Sequence, residues 1–104
     1  MKGKTFSERV VELACSIPKG RVSTYGAIAR AAGGGAQSAR SVTGILSKAE
    51  RRGVADIPFH RIVYSDGRVW VTDGNRKRRM QLYKQEGIKV DERGKIVNFE
   101  GILM

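Results

Sequence analysis

Two side chains able to carry a reaction stand alone in this 104-residue sequence: one cysteine, Cys15, and one histidine, His60. A thiolate is the nucleophile that accepts an alkyl or acyl group, and an imidazole is a base that can generate it. Cys15 falls between Leu13 and Ile17 in a segment patterned to pack inward, which reads as a small buried hydrophobe and not an acceptor. His60 lies in Ile57-Pro58-Phe59-His60-Arg61-Ile62, beside a phenylalanine with no lone pair and nothing to ionise. A single Cys and a single His exclude a disulfide framework and a zinc site built from Cys and His, so no metal and no cofactor is expected. What the sequence carries in quantity is positive charge: 20 Lys and Arg against 10 Asp and Glu, a net +10. That is more than solubility requires and points to a polyanion, most often nucleic acid.

The elements that must position these residues are short. The length suits one domain, 1–104, with a modest core. Thr5 and Glu8 fit a capping box, and Phe6, Val10, Leu13, Ala14 and Ile17 follow at helical spacing until Pro18. Ser23 or Thr24 then caps a second helix bearing Tyr25, Ile28, Ala29 and Ala32, ended by Gly33-Gly34-Gly35. A third helix begins near Gln37 or Ser38 and carries Ala39, Val42, Ile45, Leu46 and Ala49. Two short helices joined by a glycine turn are a helix-turn-helix pattern, the later helix being the reader. Arg61 to Tyr64 and Arg68 to Val71, around Ser65-Asp66-Gly67, predict a hairpin placed like a wing. Asp73 is the expected cap of a fourth helix through Met80, Leu82 and Tyr83 to Gly87, and a terminal hairpin turns at Asp91-Glu92-Arg93-Gly94. The fold class expected is mainly α with small β hairpins, a winged helix-turn-helix DNA-binding domain. No apolar run is long enough to span a bilayer, and Met1-Lys2-Gly3-Lys4-Thr5 lacks a signal-peptide core, so an intracellular protein without membrane contact is expected.

Four separated segments carry a family resemblance. Ile17-Pro18-Lys19-Gly20-Arg21-Val22-Ser23-Thr24-Tyr25-Gly26, Ser38-Ala39-Arg40-Ser41-Val42, Pro58-Phe59-His60-Arg61 and Glu86-Gly87 stand in the order found in the DNA-binding domain of the O6-alkylguanine-DNA alkyltransferases, and the chain resembles that family from about Phe6 to Gly87. Family enzymes often carry a further N-terminal domain, which is not expected in this chain. Their motif is Pro-Cys-His-Arg, whose cysteine takes the alkyl group from the damaged base; here the acceptor position is Phe59. The relay partners implied by the resemblance, His60 and Glu86, are present without a nucleophile to serve. That pattern is similar to the alkyltransferase-like proteins, which bind alkylated DNA without repairing it directly.

The resemblance implies a set of roles. Arg40 on the recognition helix would enter the duplex and fill the place of the extruded nucleotide, recovering part of the few kcal/mol that flipping costs. Tyr25 would crowd the phosphate beside the flipped base, and Thr24, Ser38 and Ser41 would complete the DNA contact, in the minor groove. Phe59, Pro58, Trp70 and Thr72 would line the lesion pocket, an aromatic wall tolerant of alkyl groups larger than methyl. Three departures alter the mouth: Ala49 replaces an asparagine hinge, Thr72-Asp73 replaces Tyr-Ser, and Trp70 stands where glycine is common. Arg76-Lys77-Arg78-Arg79, Arg51-Arg52, Lys19, Arg21 and Arg30 supply phosphate-seeking charge.

The expected function is therefore non-enzymatic recognition of O6-alkylguanine in double-stranded DNA by a monomer that feeds nucleotide excision repair proteins. It would act in the cytoplasm at the nucleoid if prokaryotic, and in the nucleus if eukaryotic. An active methyltransferase with an atypical acceptor, and a winged-helix regulator without lesion preference, are the alternatives.

Overall fold

The computed structural model describes residues 5–34 and 36–104, with backbone alone at 36–38; Met1 to Lys4, Gly35 and the Ser38 side chain lie outside the described residues. Helix α1 (Phe6–Cys15) starts where the sequence predicts, because Thr5 Oγ1 accepts the Glu8 N–H at 3.2 Å and Glu8 Oε1 accepts the Thr5 N–H at 3.4 Å. Val10 and Ala14 on its inner side are buried, as is Ile17 just past its end. A two-residue strand β1 (Ser23–Thr24) leads into α2 (Tyr25–Ala31), capped by Thr24, whose hydroxyl oxygen accepts the Ala27 N–H at 3.1 Å.

The third helix departs from expectation. Its first turns, Ala36–Ser41, wind as 3₁₀, and α3 proper spans Val42–Arg51. Tighter turns are common at helix N-termini and keep residues three apart on one face, so the apolar pattern reads alike in both forms. Val42, Leu46 and Ala49 pack against α1 and α2, with Ile57 and Ile62, in a first core cluster.

A parallel pairing that nothing in the sequence announced joins this cluster to a second. Strand β2 (Ile62–Val63) runs beside β1, Ser23 opposite Ile62 and Thr24 opposite Val63. Successive strand residues face opposite ways, so Ile62 enters the first cluster while Val63 enters the second, with Val22, Val69, Tyr83, Ile88 and Ile96. The expected wing is reduced to its turn. Tyr64 N–H still donates to Arg68 O and Gly67 N–H to Tyr64 O, both at 2.9 Å. Beyond Arg68, however, the chain pairs with the tail: Arg68 bridges Lys95, and Val69 N–H donates to Gly94 O at 2.8 Å. Burying Val69 with Ile96 draws it there. Gly67 permits the crossing, since its φ is +88° and a Cβ would lie 2.9 Å from Phe99 Cγ.

Helix α4 (Arg76–Gln85) begins later than Asp73, which is not its cap. Thr72 O accepts the N–H groups of Asn75 and Arg76 at 3.1 and 2.8 Å, so residues 72–75 form a turn and Asn75 takes the N-cap position. The terminal hairpin forms as expected, with Val90 bridging Ile96. A short helix α5 (Phe99–Ile102), absent from the sequence reading, then lets Leu103 bridge Val22 beside β1.

Candidate nucleic-acid interface

Pro58, which cannot donate a backbone hydrogen bond, is followed by a 3₁₀ turn, Phe59–Arg61, closed by Arg61 N–H donating to Pro58 O at 2.9 Å. Because β2 begins at the next residue, this turn is held against both cores. It aims His60 inward, where the residue is 7% exposed and Nε2 lies 2.5 Å from Glu86 Oε2. Arg61 grips the same carboxylate as a fork, Nε to Oε1 at 3.0 Å and Nη2 to Oε2 at 2.9 Å, while its Nη1 donates to Ile17 O at 2.8 Å. Gly20 N–H donates to Glu86 Oε1 at 3.1 Å from a backbone at φ +82°. One carboxylate therefore ties the Pro18 to Gly20 connection, the Phe59–Arg61 turn and α4 together.

The charges follow from these contacts. Burial pushes the Glu86 carboxyl up, but the hydrogen bonds from Arg61, His60 and Gly20 outweigh it and hold the pKa at about 2. His60 is lowered, by burial first; the Glu86 contact opposes this, and the nearby positive charges of Arg61 and Arg79 reinforce it. At neutral pH the imidazole is uncharged beside an ionised carboxylate already neutralised by Arg61.

Helix α4 carries Arg79 and Tyr83 four apart on one face, and Glu86, its C-cap, follows three residues later. Tyr83 is buried with its ring edge to His60, centroids 5.8 Å apart, and burial raises its pKa. Arg79 is half-buried; its guanidinium lies 5.0 Å from the Trp70 ring centroid, and Nη1 donates to Trp70 O at 2.8 Å. Tyr25, half-buried at the start of α2, packs its ring 5.7 Å from that of Tyr64, which Arg68 covers at 5.8 Å. Burial raises the Tyr25 pKa, opposed by the Thr43 hydrogen bond and the Arg79 charge.

The residues singled out from the sequence are distributed as follows. Arg40 and Ser41 are exposed where the 3₁₀ turn meets α3, and Thr72 is exposed at the α4 entry. Thr24 is buried with its hydroxyl spent on the α2 cap, so its side chain fixes where Tyr25 points. Phe59 is half-buried against the first core cluster, and Pro58 is buried. Next to them a groove of about 470 Å³ is lined by Pro58, His60, Arg61, Lys19 and Arg78. Cys15 is not the core residue expected: it is exposed, in a groove of about 560 Å³ between α1 and α3 with Val11, Ile45 and Ala49. It directly follows Ala14, and one helical step turns a side chain about 100° from the core face. Sequence reasoning missed Arg61, Tyr64 and Arg79 as site residues; the 79, 83, 86 spacing was the available signal for the last.

A helix-turn-helix unit with an exposed arginine ahead of its second helix, in a chain of net charge +10 that also carries a cation-lined groove, has the features of a DNA-binding domain. The model of the family "6-O-methylguanine DNA methyltransferase, DNA binding domain" matches residues 5–88, and the chain belongs to that family. It is 34% identical over 95 residues to the DNA base-flipping protein of Escherichia coli (strain K12), covering 91% of this chain and 71% of that protein. Against the methylated-DNA–protein-cysteine methyltransferase of Methanothermobacter thermautotrophicus it is 36% identical over 86 residues, 83% of this chain and 46% of the other. The crystal structure of S. pombe Atl1 in complex with damaged DNA containing O6-carboxymethylguanine superposes over 100% of this chain and 98% of that one, with a TM-score of 0.73 and 28% identity. The mainly helical architecture with its two-strand sheet is thus the fold of this family.

Proposed function

We propose that this protein binds duplex DNA, turns an O6-alkylguanine out of the stack and holds it beside Phe59 without transferring the alkyl group. The observation that carries this reading is the pairing of an assembled His60–Glu86–Arg61 network with a phenylalanine at the preceding position, a ring that cannot attack carbon. The relatives support it, one being named for base flipping and another crystallised on damaged DNA. Arg40 takes the place of the extruded nucleotide. Tyr25 presses on the adjoining phosphate, with Ser38 and Ser41 flanking and Thr24 fixing the turn, and Pro58, Phe59, Trp70 and Thr72 form the pocket wall. A held and unrepaired lesion calls for a downstream excision system, so nucleotide excision repair proteins are the proposed partners.

The exposed thiol of Cys15 makes one competing outcome worth measuring. The test is a binding titration on duplexes that differ only in O6-methylation of one guanine, with Arg40→Ala alongside, followed by intact-mass measurement of the protein. Tighter binding to the damaged duplex, loss of that preference in Arg40→Ala and an unchanged mass are expected. Equal affinity for both duplexes would leave only a DNA-binding regulator, and stoichiometric gain of a methyl group on Cys15 would make the protein an alkyltransferase after all.

A further inference from the structure

Charge around the pocket does not cancel. Glu86 is matched by Arg61, and His60 is neutral at physiological pH, its pKa lowered below the ordinary imidazole value. Arg79 is left over. No carboxylate pairs with it among the described residues; the structure gives it the Trp70 carbonyl and the face of the Trp70 ring. Its helix places it one turn from Tyr83, whose ring edge meets His60, and its charge acts on both His60 and Tyr25, whereas Arg76 and Lys77 are exposed and Arg78 lines the neighbouring groove with Pro58 and His60.

The guanidinium is also underused. Arginine offers five N–H donors in a rigid fork, and only Nη1 has an acceptor among the described residues. A half-buried cation with free donors and a planar stacking partner is arranged to receive a carboxylate, which accepts two parallel N–H bonds from one guanidinium. Trp70 stands at one of the positions assigned to the pocket wall, so the ligand that reaches Trp70 reaches Arg79.

Building on the proposed lesion-binding function, we propose that Arg79 is a specificity-determining residue. It makes this pocket prefer an O6-substituted guanine whose substituent ends in a carboxylate over one carrying an uncharged substituent of the same length. Trp70 holds the guanidinium in place from one side, and the substituent carboxylate closes on its remaining donors from the other. Uncharged alkyl groups still enter, held by Phe59 and Trp70 alone.

The experiment titrates the full chain with four duplexes alike except at one guanine: unmodified, O6-propyl, O6-carboxymethyl and O6-aminoethyl. The wild type is expected to bind the carboxymethyl duplex about tenfold tighter than the propyl one, the range of a single partly exposed charge-assisted contact, with aminoethyl weakest of the three. Arg79→Gln should bring the carboxymethyl-to-propyl ratio to about one, while Arg79→Lys, which keeps the charge and loses the fork, should retain part of it. If every modified duplex binds like the unmodified one, the lesion-binding function itself fails. Lesion preference without a carboxylate advantage, or an advantage that survives Arg79→Gln, overturns the role of Arg79 alone. An equal loss for all four duplexes in Arg79→Gln makes the residue a phosphate contact and also refutes the proposal. Should Arg79→Gln disturb folding, a wild type without a carboxymethyl advantage still refutes the proposal, and Arg79→Lys still tests the fork.

Discussion

Glu86→Gln tests whether the buried carboxylate is a clamp. The amide keeps the shape and removes the charge that Arg61 grips, while Arg61 keeps only 14% of its side-chain surface exposed. A carboxyl held at about 2 instead of 4.5 stabilises the folded state by about 3 kcal/mol at neutral pH. Loss of one partner from a buried ion pair costs a similar amount, roughly 3 to 5 kcal/mol. For a domain with total stability of about 5–15 kcal/mol this is a large fraction. With a urea dependence of about 1.5 kcal/mol per molar, the midpoint should fall by about 2 M. The sign with pH is fixed by the direction of the shift. A depressed carboxyl contributes its full stability above the unfolded value of 4.5 and loses it as pH falls toward 2, so wild type and variant should converge across that interval. Urea melts followed by circular dichroism at pH 7, 4 and 2.5 measure this. A variant within about 0.5 kcal/mol of wild type at pH 7, or a gap of constant size down to pH 2.5, would refute the clamp.

Three further outcomes follow from the same physics. The Tyr83 hydroxyl is buried with no protein partner among the described residues, so Tyr83→Phe should change stability by less than about 1 kcal/mol or raise it, whereas Tyr83→Ala should cost about 3 to 5 kcal/mol in thermal or urea melts. Thr5→Ala removes the hydroxyl half of the α1 capping box and should cost about 1 kcal/mol by the same measurements. DNA affinity should fall with salt at a log–log slope near −4 to −5 if about five phosphates are neutralised, and a slope near zero would contradict DNA binding by this +10 chain.

The site has the form of a reaction centre turned to holding. His60, Glu86 and Arg61 are locked by short polar contacts from three separate segments, and locked groups suit a rigid pocket floor. Among the described residues, the cations placed to meet a ligand include Arg40 on the recognition turn, Lys19 and Arg78 in the groove, and Arg79 over Trp70.

Local rules carried the sequence reading a long way. The α1 capping box, the Thr24 cap, the glycine ends of α2 and α4 and the terminal hairpin each depend on residues a few positions apart, and each is where the sequence predicts. So does the identity of residue 59, because what a side chain can ionise is a property of its own atoms. Contacts between distant segments were not legible. Nothing local says that Ser23-Thr24 lies parallel to Ile62-Val63, that Arg68 pairs with Lys95 rather than completing a wing, or that Leu103 returns to Val22. Cys15 turned outward and Arg79 inward for the same reason: helical periodicity gives the angle between side chains, but only the packing of one helix against its neighbours decides which angle faces water.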